Sequence, residues 1–510
     1  MRLYISILLL VVSCGLKFDR RCDKDYIKVL IEQEVKRIDP RLVITSYEFK
    51  ISNLVFKGLT RIDPKELLPV EDLAERIEAL SPLIYRVCLK RGVKWHDGAE
   101  ITSRDIKFTF ESLKDQNLGS PYSRSFSYIK EIEIESRYCV KFILRYRRAS
   151  FKSDLVFPLV PYHILKKGKF FTFKNRVVGS GDFRLLKKER NRIYLKPKEG
   201  YRIKIKRRYV DTVIFETIRD INSRVMLIKG GGGDISQNNI PPYLWQIFNR
   251  EDFRIVSSPS VTLTYMGFNL DDRYLKNKKV RYAIAYAIDR ESIIKGKFKG
   301  KAKVAYSILP SFHWAYNKNI KKFRYDPELA KRLLDQADLP PDSSGVRFTL
   351  SYITSTDKFR LSIAKLIAYY LKKVGIKLKI RSYEFGLLIS KLNKGEFQLV
   401  SLQLPQIIEP NIFKRFFHSS SIPRAPYWIE GANRWRFRNR SVDTLLELGE
   451  KETDIEKRKE IYGKIQEIIL KELPIFPLWY EDNFAIVSSC INYRIDPLAQ
   501  FNLSQLLFRN

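Results

Sequence analysis

The side chains best suited to chemistry in this 510-residue chain are few and scattered. Its four histidines, His96, His163, His313 and His418, lie far apart. None belongs to an H-E-x-x-H helix, whose two rings share one face and bind zinc. No G-x-S-x-G elbow presents a serine nucleophile, and no G-x-x-x-x-G-K-[ST] loop is there to cradle phosphate. Gly230 to Gly233, followed by Asp234, lack the lysine and hydroxyl of a phosphate loop and read as a turn. Gly179-Ser180-Gly181 lacks the glycine spacing of a nucleophile elbow and reads the same way. Asp271 and Asp272 fit a surface turn better than an acid–base pair. His96 falls in a strand-to-helix turn, where its ring is expected to bond nearby backbone. The residues offer no catalytic constellation and require neither metal nor cofactor. What remains is binding.

Alternating strands and amphipathic helices interleave along the chain and must position whatever binds; that pattern signals an α/β architecture. IKVLIEQEV and YRVCLKRGVKW read as strands, the second closed by His96-Asp97-Gly98. Thr102-Ser103-Arg104-Asp105 opens a helix, because a hydroxyl ahead of an acid caps free N–H groups. The run from Val280 to Ile288 reads as a packed helix, and Pro327 starts another in DPELAKRLLDQA. LSIAKLIAYYLKKVG is a helix closed by Gly375, and IKLKIRSYEF after it is a strand. KRKEIYGKIQEIILKE is a long amphipathic helix, broken by Pro474 and Pro477. A single core stops growing well below this length, so two or three domains are expected.

At the amino terminus Arg2 precedes an apolar run, Leu3 to Val12, and then Ser13-Cys14. The run is about half the roughly twenty residues that span a bilayer and suits a secretory signal, residues 1–13. Ser13-Cys14 resembles a bacterial lipobox, which implies lipid attachment at Cys14; an ordinary signal peptide is the other reading. No other stretch approaches spanning length, so a membrane-anchored lipoprotein, periplasmic or cell-surface, is expected. Cys22, Cys88, Cys139 and Cys490 remain and allow three full pairings. Cys88 and Cys139 lie in strand-like runs where an oxidising compartment would permit a bridge. Buried free thiols are the reading preferred from the residues alone.

Lys and Arg number 94 against 57 Asp and Glu, a formal net charge of +37. Such a balance speaks to attraction of anions, not to fold. The cations are spread along the chain, so no nucleic-acid module stands out. Runs such as Lys295 to Lys301 and YRIKIKRRY read first as solvated edges, since lysines on a strand deter edge-to-edge pairing. Contact with anionic lipid headgroups is a further reading of the same runs.

Six segments, taken in order, resemble the family 5 extracellular solute-binding proteins, which include oligopeptide-, dipeptide- and nickel-binding proteins of bacteria. They are LKRGVKWHDGAEITSRDIKFTFESL, VGSGDF (with Asp182 where the family has Pro), YMGFN, VRYAIAYAIDRESII, YDPELAKRLLDQADL and TDIEKRKEIYGKIQEIILKELPIFPLWY. The resemblance implies a type II periplasmic-binding-protein fold: two lobes with mixed sheets joined by a hinge, plus a smaller inserted α/β domain. Lobe I would comprise 22–56, 161–269 and 479–510, the insert 57–160 and lobe II 270–478, with hinge crossings at Asn269 and Trp479. It further implies a monomeric substrate-binding component of an ABC importer, not an enzyme, that closes on a peptide or peptide-like solute and passes it to membrane permease subunits.

Where peptide binders of the family carry W-x-x-D-Y-x-[DE]-P, with an Asp for the peptide ammonium, this chain has Gln403 to Pro410, with Gln403 at the Trp position and Gln406 at the Asp position. An ammonium facing a neutral amide loses a charge-assisted bond. Either Glu409 or another acid therefore substitutes, or the ligand lacks a free amino terminus. Tyr265, Gln403, Gln406, Glu409 and Trp428 are the expected ligand contacts. The competing reading is a cell-surface polyanion-binding protein on the same scaffold, without a transport role.

Overall fold

A computed structural model of the chain describes residues 20–166, 173, 177–206, 208–248, 251–404, 406–426 and 431–509. Three sheets organise it. A seven-stranded mixed sheet runs in the order Phe253–Ser258, Asn483–Ser488, Ile235–Gln237, Tyr26–Ile31, Thr212–Thr217, Arg192–Pro197, Phe183–Lys188. A six-stranded sheet runs Ala302–Val304, Ile475–Glu481, Leu263–Phe268, Leu399–Gln403, Phe348–Ser355, Ile376–Tyr383. A four-stranded antiparallel sheet, Ala74–Ser81, Ile84–Leu89, Cys139–Leu144, Ile129–Ile134, forms the insert. These are the two lobes and the smaller α/β domain expected.

Central strands of the six-stranded sheet serve two cores at once. Leu263–Phe268 is buried at every position. Met266 and Phe268 join one apolar cluster, and Leu263 and Tyr265 join another. Side chains alternate across a strand, so a sheet covered on both faces shows an unbroken apolar run. A Cβ at Gly267 would stand 3.1 Å from the Trp435 ring and 3.2 Å from Val400, a tight fit that favours glycine here.

Local signals act as their chemistry predicts. The helix Ser103–Ser112 starts where the Thr102 backbone N–H donates to the Asp105 carboxylate at 2.7 Å. Pro327 is the first residue of Pro327–Asp335, capped by Asp326, which accepts from the Leu329 N–H at 2.8 Å. Helix Lys358–Lys372 ends before Gly375, whose φ of +83° turns the chain into the next strand. Both arginines of VRYAIAYAIDR are buried clasps. Arg281 donates to the carbonyls of Leu275, Lys276 and Glu472, and Arg290 to those of Ala305 and Pro477.

His96 bonds backbone as expected, but backbone distant in sequence. Its Nδ1 accepts from the Gly179 N–H at 3.3 Å, so Nε2 carries the proton and donates to the Gly181 carbonyl at 2.9 Å. Burial holds the ring below the usual histidine pKa, favouring this neutral form. Gly181 in turn packs on the end of helix Ser46–Val55, donating to the Val55 carbonyl at 2.8 Å. A Cβ on Gly179 would stand 2.0 Å from that oxygen. The turn is structural.

Two expectations need correction. Strands Phe253–Ser258 and Leu263–Phe268 pair in different sheets, so the chain crosses between lobes at 259–262 and returns at Asp482. Asn269 and Trp479 both lie within the six-stranded lobe. The Asn269 amide donates to the carbonyls of Gly395 and Phe397 at 3.1 and 2.8 Å, and the fully buried Trp479 packs on Phe298. An aromatic-Asn motif marks the end of a strand; it does not say which sheet the strand joins. The thiols, too, are bridged: Cys22 to Cys490 and Cys88 to Cys139. The second pair sits directly opposite in neighbouring strands, a register that spacing alone could not supply.

Cys22–Cys490 closes a sequence separation of 468 residues. Long closed loops restrict the unfolded chain most, so replacing the pair with serines is expected to lower stability by about 2–5 kcal/mol. The shift in denaturant midpoint, with solute binding retained in the folded fraction, would check this.

Candidate functional site

The strand Leu399–Gln403 delivers the segment Gln403 to Glu409 to a junction where both lobes and the insert meet. Leu404 and Ile407 are buried, and Gln406, Ile408 and Glu409 are half-buried. The Gln406 amide donates to the Leu498 carbonyl at 2.8 Å, in the chain that follows the seven-stranded sheet. Glu409 accepts from the Ser153 hydroxyl of the insert at 2.7 Å and from Arg458 of the six-stranded lobe at 2.7 Å. Beneath lies a small apolar cluster of Leu67, Val261 and Leu498, with Phe312, Trp314 and Ile408 packed against it.

His313 pins the segment from below. The Ala315 N–H donates to its Nδ1 at 3.0 Å, so Nε2–H donates to the Ile408 carbonyl at 3.0 Å. Burial first, and nearby Arg458 second, push its pKa down to about 4, against the pull of that carbonyl.

A second polar group lies at the lobe crossing itself. Glu481 Oε1 accepts from Thr264 at 2.9 Å and from the Gln403 amide at 2.9 Å, while Arg360 donates to Gln403 Oε1 at 3.0 Å. Trp479 Nε1 also donates to Glu481 Oε1, at 3.4 Å. Among the described residues, Glu481 Oε2 takes no bond. Tyr265 lies next to this cluster but is only 1% exposed, with its ring edge-on to Trp435 at 5.3 Å. Burial drives its phenol pKa well up, opposed by the charges of Arg434 and Arg360. Tyr265 is thus packed within a core. Trp428 and Cys14 lie outside the described residues.

Between the insert and the six-stranded lobe there is a cavity of about 680 Å³, lined by Arg124, Asn411, Lys414, Arg415, Ser421, Gly431 and Glu450. That volume is within the range of small-ligand sites. Lys414 is neutralised by Glu450 at 2.6 Å, which leaves two guanidiniums facing the space. Nearby, Trp314 Nε1, Asn411 Nδ2 and Arg458 Nε are buried donors without a hydrogen-bond partner among the described residues. Among the described residues no group of three His, Cys, Asp or Glu could hold a metal ion. None of their helices is long and apolar enough to cross a membrane.

Sequence reasoning singled out Gln403, Gln406 and Glu409, which the fold gathers at one junction, but missed Arg360, Arg458 and Glu481. Glu481 follows the apolar strand IFPLWY directly, and a charge at the end of a buried strand was the available signal.

Two sheets joined by a pair of crossing strands, with polar groups and a cavity at the meeting of the domains, define a two-lobed solute-binding protein. The family model for bacterial extracellular solute-binding proteins, family 5, matches residues 69–420, and the chain belongs to that family. It is 28% identical over 480 residues to the oligopeptide-binding protein AppA of Bacillus subtilis, covering 88% of this chain and 84% of the relative. Among solved structures it resembles NikZ from Campylobacter jejuni in complex with Ni(L-His), at 27% identity and a TM-score of 0.76, covering 95% of this chain and 99% of that one. B. subtilis AppA in complex with a nonapeptide is similar at 26% identity and a TM-score of 0.72, with 95% and 99% covered.

The depressed pKa of His313 makes the junction acid-sensitive. Between pH 6.5 and about 4 the unfolded state binds a proton that the folded state refuses, so stability falls as pH drops through that window. The full loss is roughly 3 kcal/mol. His313→Gln should flatten the difference between denaturation midpoints at pH 7 and pH 4.5; an unchanged pH slope would refute the assignment.

Proposed function

We propose that the chain is the substrate-binding lipoprotein of an ABC importer, tethered through Cys14, which takes a peptide or peptide-like solute between its lobes and delivers it to the permease. Hinge closure about 259–262 and Asp482 would bring the lobes onto the guest. The closed form is then populated to the extent that the solute binds it better than the open one. Family membership and the peptide-binding relatives support the solute class.

The observation that carries the reading is the acid at the crossing. Gln406, at the position of the family's ammonium-binding Asp, is engaged with Leu498, and both oxygens of Glu409 are already bonded. Glu481 is a carboxylate beside Gln403, and among the described residues its Oε2 takes no bond. It therefore substitutes for the missing Asp and receives the solute's ammonium. The guanidiniums of Arg124 and Arg415, facing the 680 Å³ cavity, would suit a carboxylate or carbonyls.

Calorimetric titration with a panel of di- to pentapeptides, free and N-acetylated, would test this. A charge-assisted bond contributes about 1.5–3 kcal/mol, so Glu481→Gln is expected to weaken free-amine peptides ten- to a hundredfold and to leave acetylated ones nearly unchanged. Equal losses for both series would remove Glu481 from this role. Silence across the panel, with no solute retained in native mass spectra of protein from its host, would count against peptide transport.

A further inference from the structure

We propose that the small three-stranded sheet beside Asp23 and Asp25, Tyr201–Ile205, Arg208–Val210 and Leu507–Arg509, is a docking face for the anionic surface of a lipid bilayer. The first strand alternates cleanly. Ile203 and Ile205 are buried, and Arg202, Lys204 and Lys206 point to solvent. Phe508 pairs opposite Arg202, and Tyr209 opposite Lys204, so two aromatic rings stand among the cations. Phe508 is 47% exposed and Tyr209 is 37% exposed, with ring centroids 5.4 Å apart.

The acids facing this sheet account for only part of its charge. Asp211 pairs with Arg202 at 3.1 Å, and Asp25 pairs with Arg208. Lys204, Lys206 and Arg254 have no acidic partner among the described residues, and they border a groove of about 620 Å³. Lysines that merely protected a strand edge would not need exposed rings between them. Cations with long alkyl stems around amphipathic aromatics fit the headgroup level of a membrane, where stems and rings find apolar surface and the charges find phosphate.

Position points the same way. The Lys206 N–H donates to the Cys490 carbonyl at 2.8 Å, and Cys490 is bridged to Cys22. Arg208 also donates to the Asp23 carbonyl at 2.8 Å. The sheet therefore adjoins the point from which the chain leads back to Cys14. The eight residues from Cys14 to Cys22 span at most about 28 Å when fully extended, so a lipid on Cys14 would keep this face near the bilayer. This geometric argument rests on the lipid-anchor reading above; the charge argument does not.

The test uses the mature chain with Cys14→Ser, so that no lipid contributes, sedimented with vesicles of phosphatidylglycerol and phosphatidylcholine or of phosphatidylcholine alone. Binding to the anionic vesicles that falls steeply with salt is expected, with little binding to neutral ones. A basic group close to such a surface is worth roughly a fivefold gain in partitioning. Lys204→Glu/Lys206→Glu/Arg254→Glu should therefore reduce association at least about a hundredfold, whereas Lys295→Glu/Lys297→Glu/Lys299→Glu, with the same change in net charge at the end of a helix of the six-stranded lobe, should leave it within about threefold. Phe508→Ala should weaken binding further at high salt. No binding to anionic vesicles overturns the proposal, and so do equal losses in the two triple variants. Capture by heparin with the vesicles ignored would favour a soluble polyanion instead and also overturn it. Peptide titration of the same variants keeps a failure of solute binding distinguishable from a failure of membrane docking.

Discussion

The backbone pairing that carries two neighbouring strands from one sheet into the other is the constraint on which the molecule depends. Ser258 pairs with Asn483 at the end of their strands in one sheet, and Leu263 pairs with Tyr480 at the end of theirs in the next. Only 259–262 and the link at Asp482 lie between. Buried N–H and C=O groups must find partners, and the two strands supply them to each other on both sides of the crossing. The lobes are thus joined by a narrow ribbon whose ends are each locked in a rigid sheet. Freedom remains only in the link, which is what a hinge requires.

Two polar side chains near that ribbon, Gln406 and Glu409, tie domains together, and a third, His313, holds the backbone between them. Glu409 is shared between Ser153 and Arg458, Gln406 reaches Leu498, and His313 grips the Ile408 carbonyl. Removing one member of a buried charged pair leaves the other uncompensated and costs about 3–5 kcal/mol. Such contacts therefore fix the register of the segment Gln403 to Glu409 as well as its stability. The arginines of the family motif do similar work elsewhere: Arg281 and Arg290 bind backbone carbonyls, so that stretch is scaffold and not solute contact.

Charge is organised on two scales. The excess of 37 positive charges is spread over the chain and sets a general field. Screening limits a fixed charge to about 8 Å at physiological salt, so only local groupings can discriminate among partners. The three-stranded sheet is one such grouping, because alternation along its first strand places every second residue on the same side.

Much of this was legible in the order of residues, since local rules act over a few positions. The cap at Thr102, the proline opening Pro327–Asp335, the turn at Gly375 and the absence of a catalytic set all follow from neighbours in the chain. Together with the six motif segments they determined the α/β class, the two-lobed fold and the family. Tertiary structure alone decided which sheet Leu263–Phe268 joins, and hence where the lobes are linked. It decided that Cys22 meets Cys490 across almost the whole chain, and that Tyr265 is walled in by Trp435 while Glu481 stands beside Gln403. A strand buried on both faces has the same apolar pattern in any sheet, and contacts between residues hundreds of positions apart leave no periodicity to read.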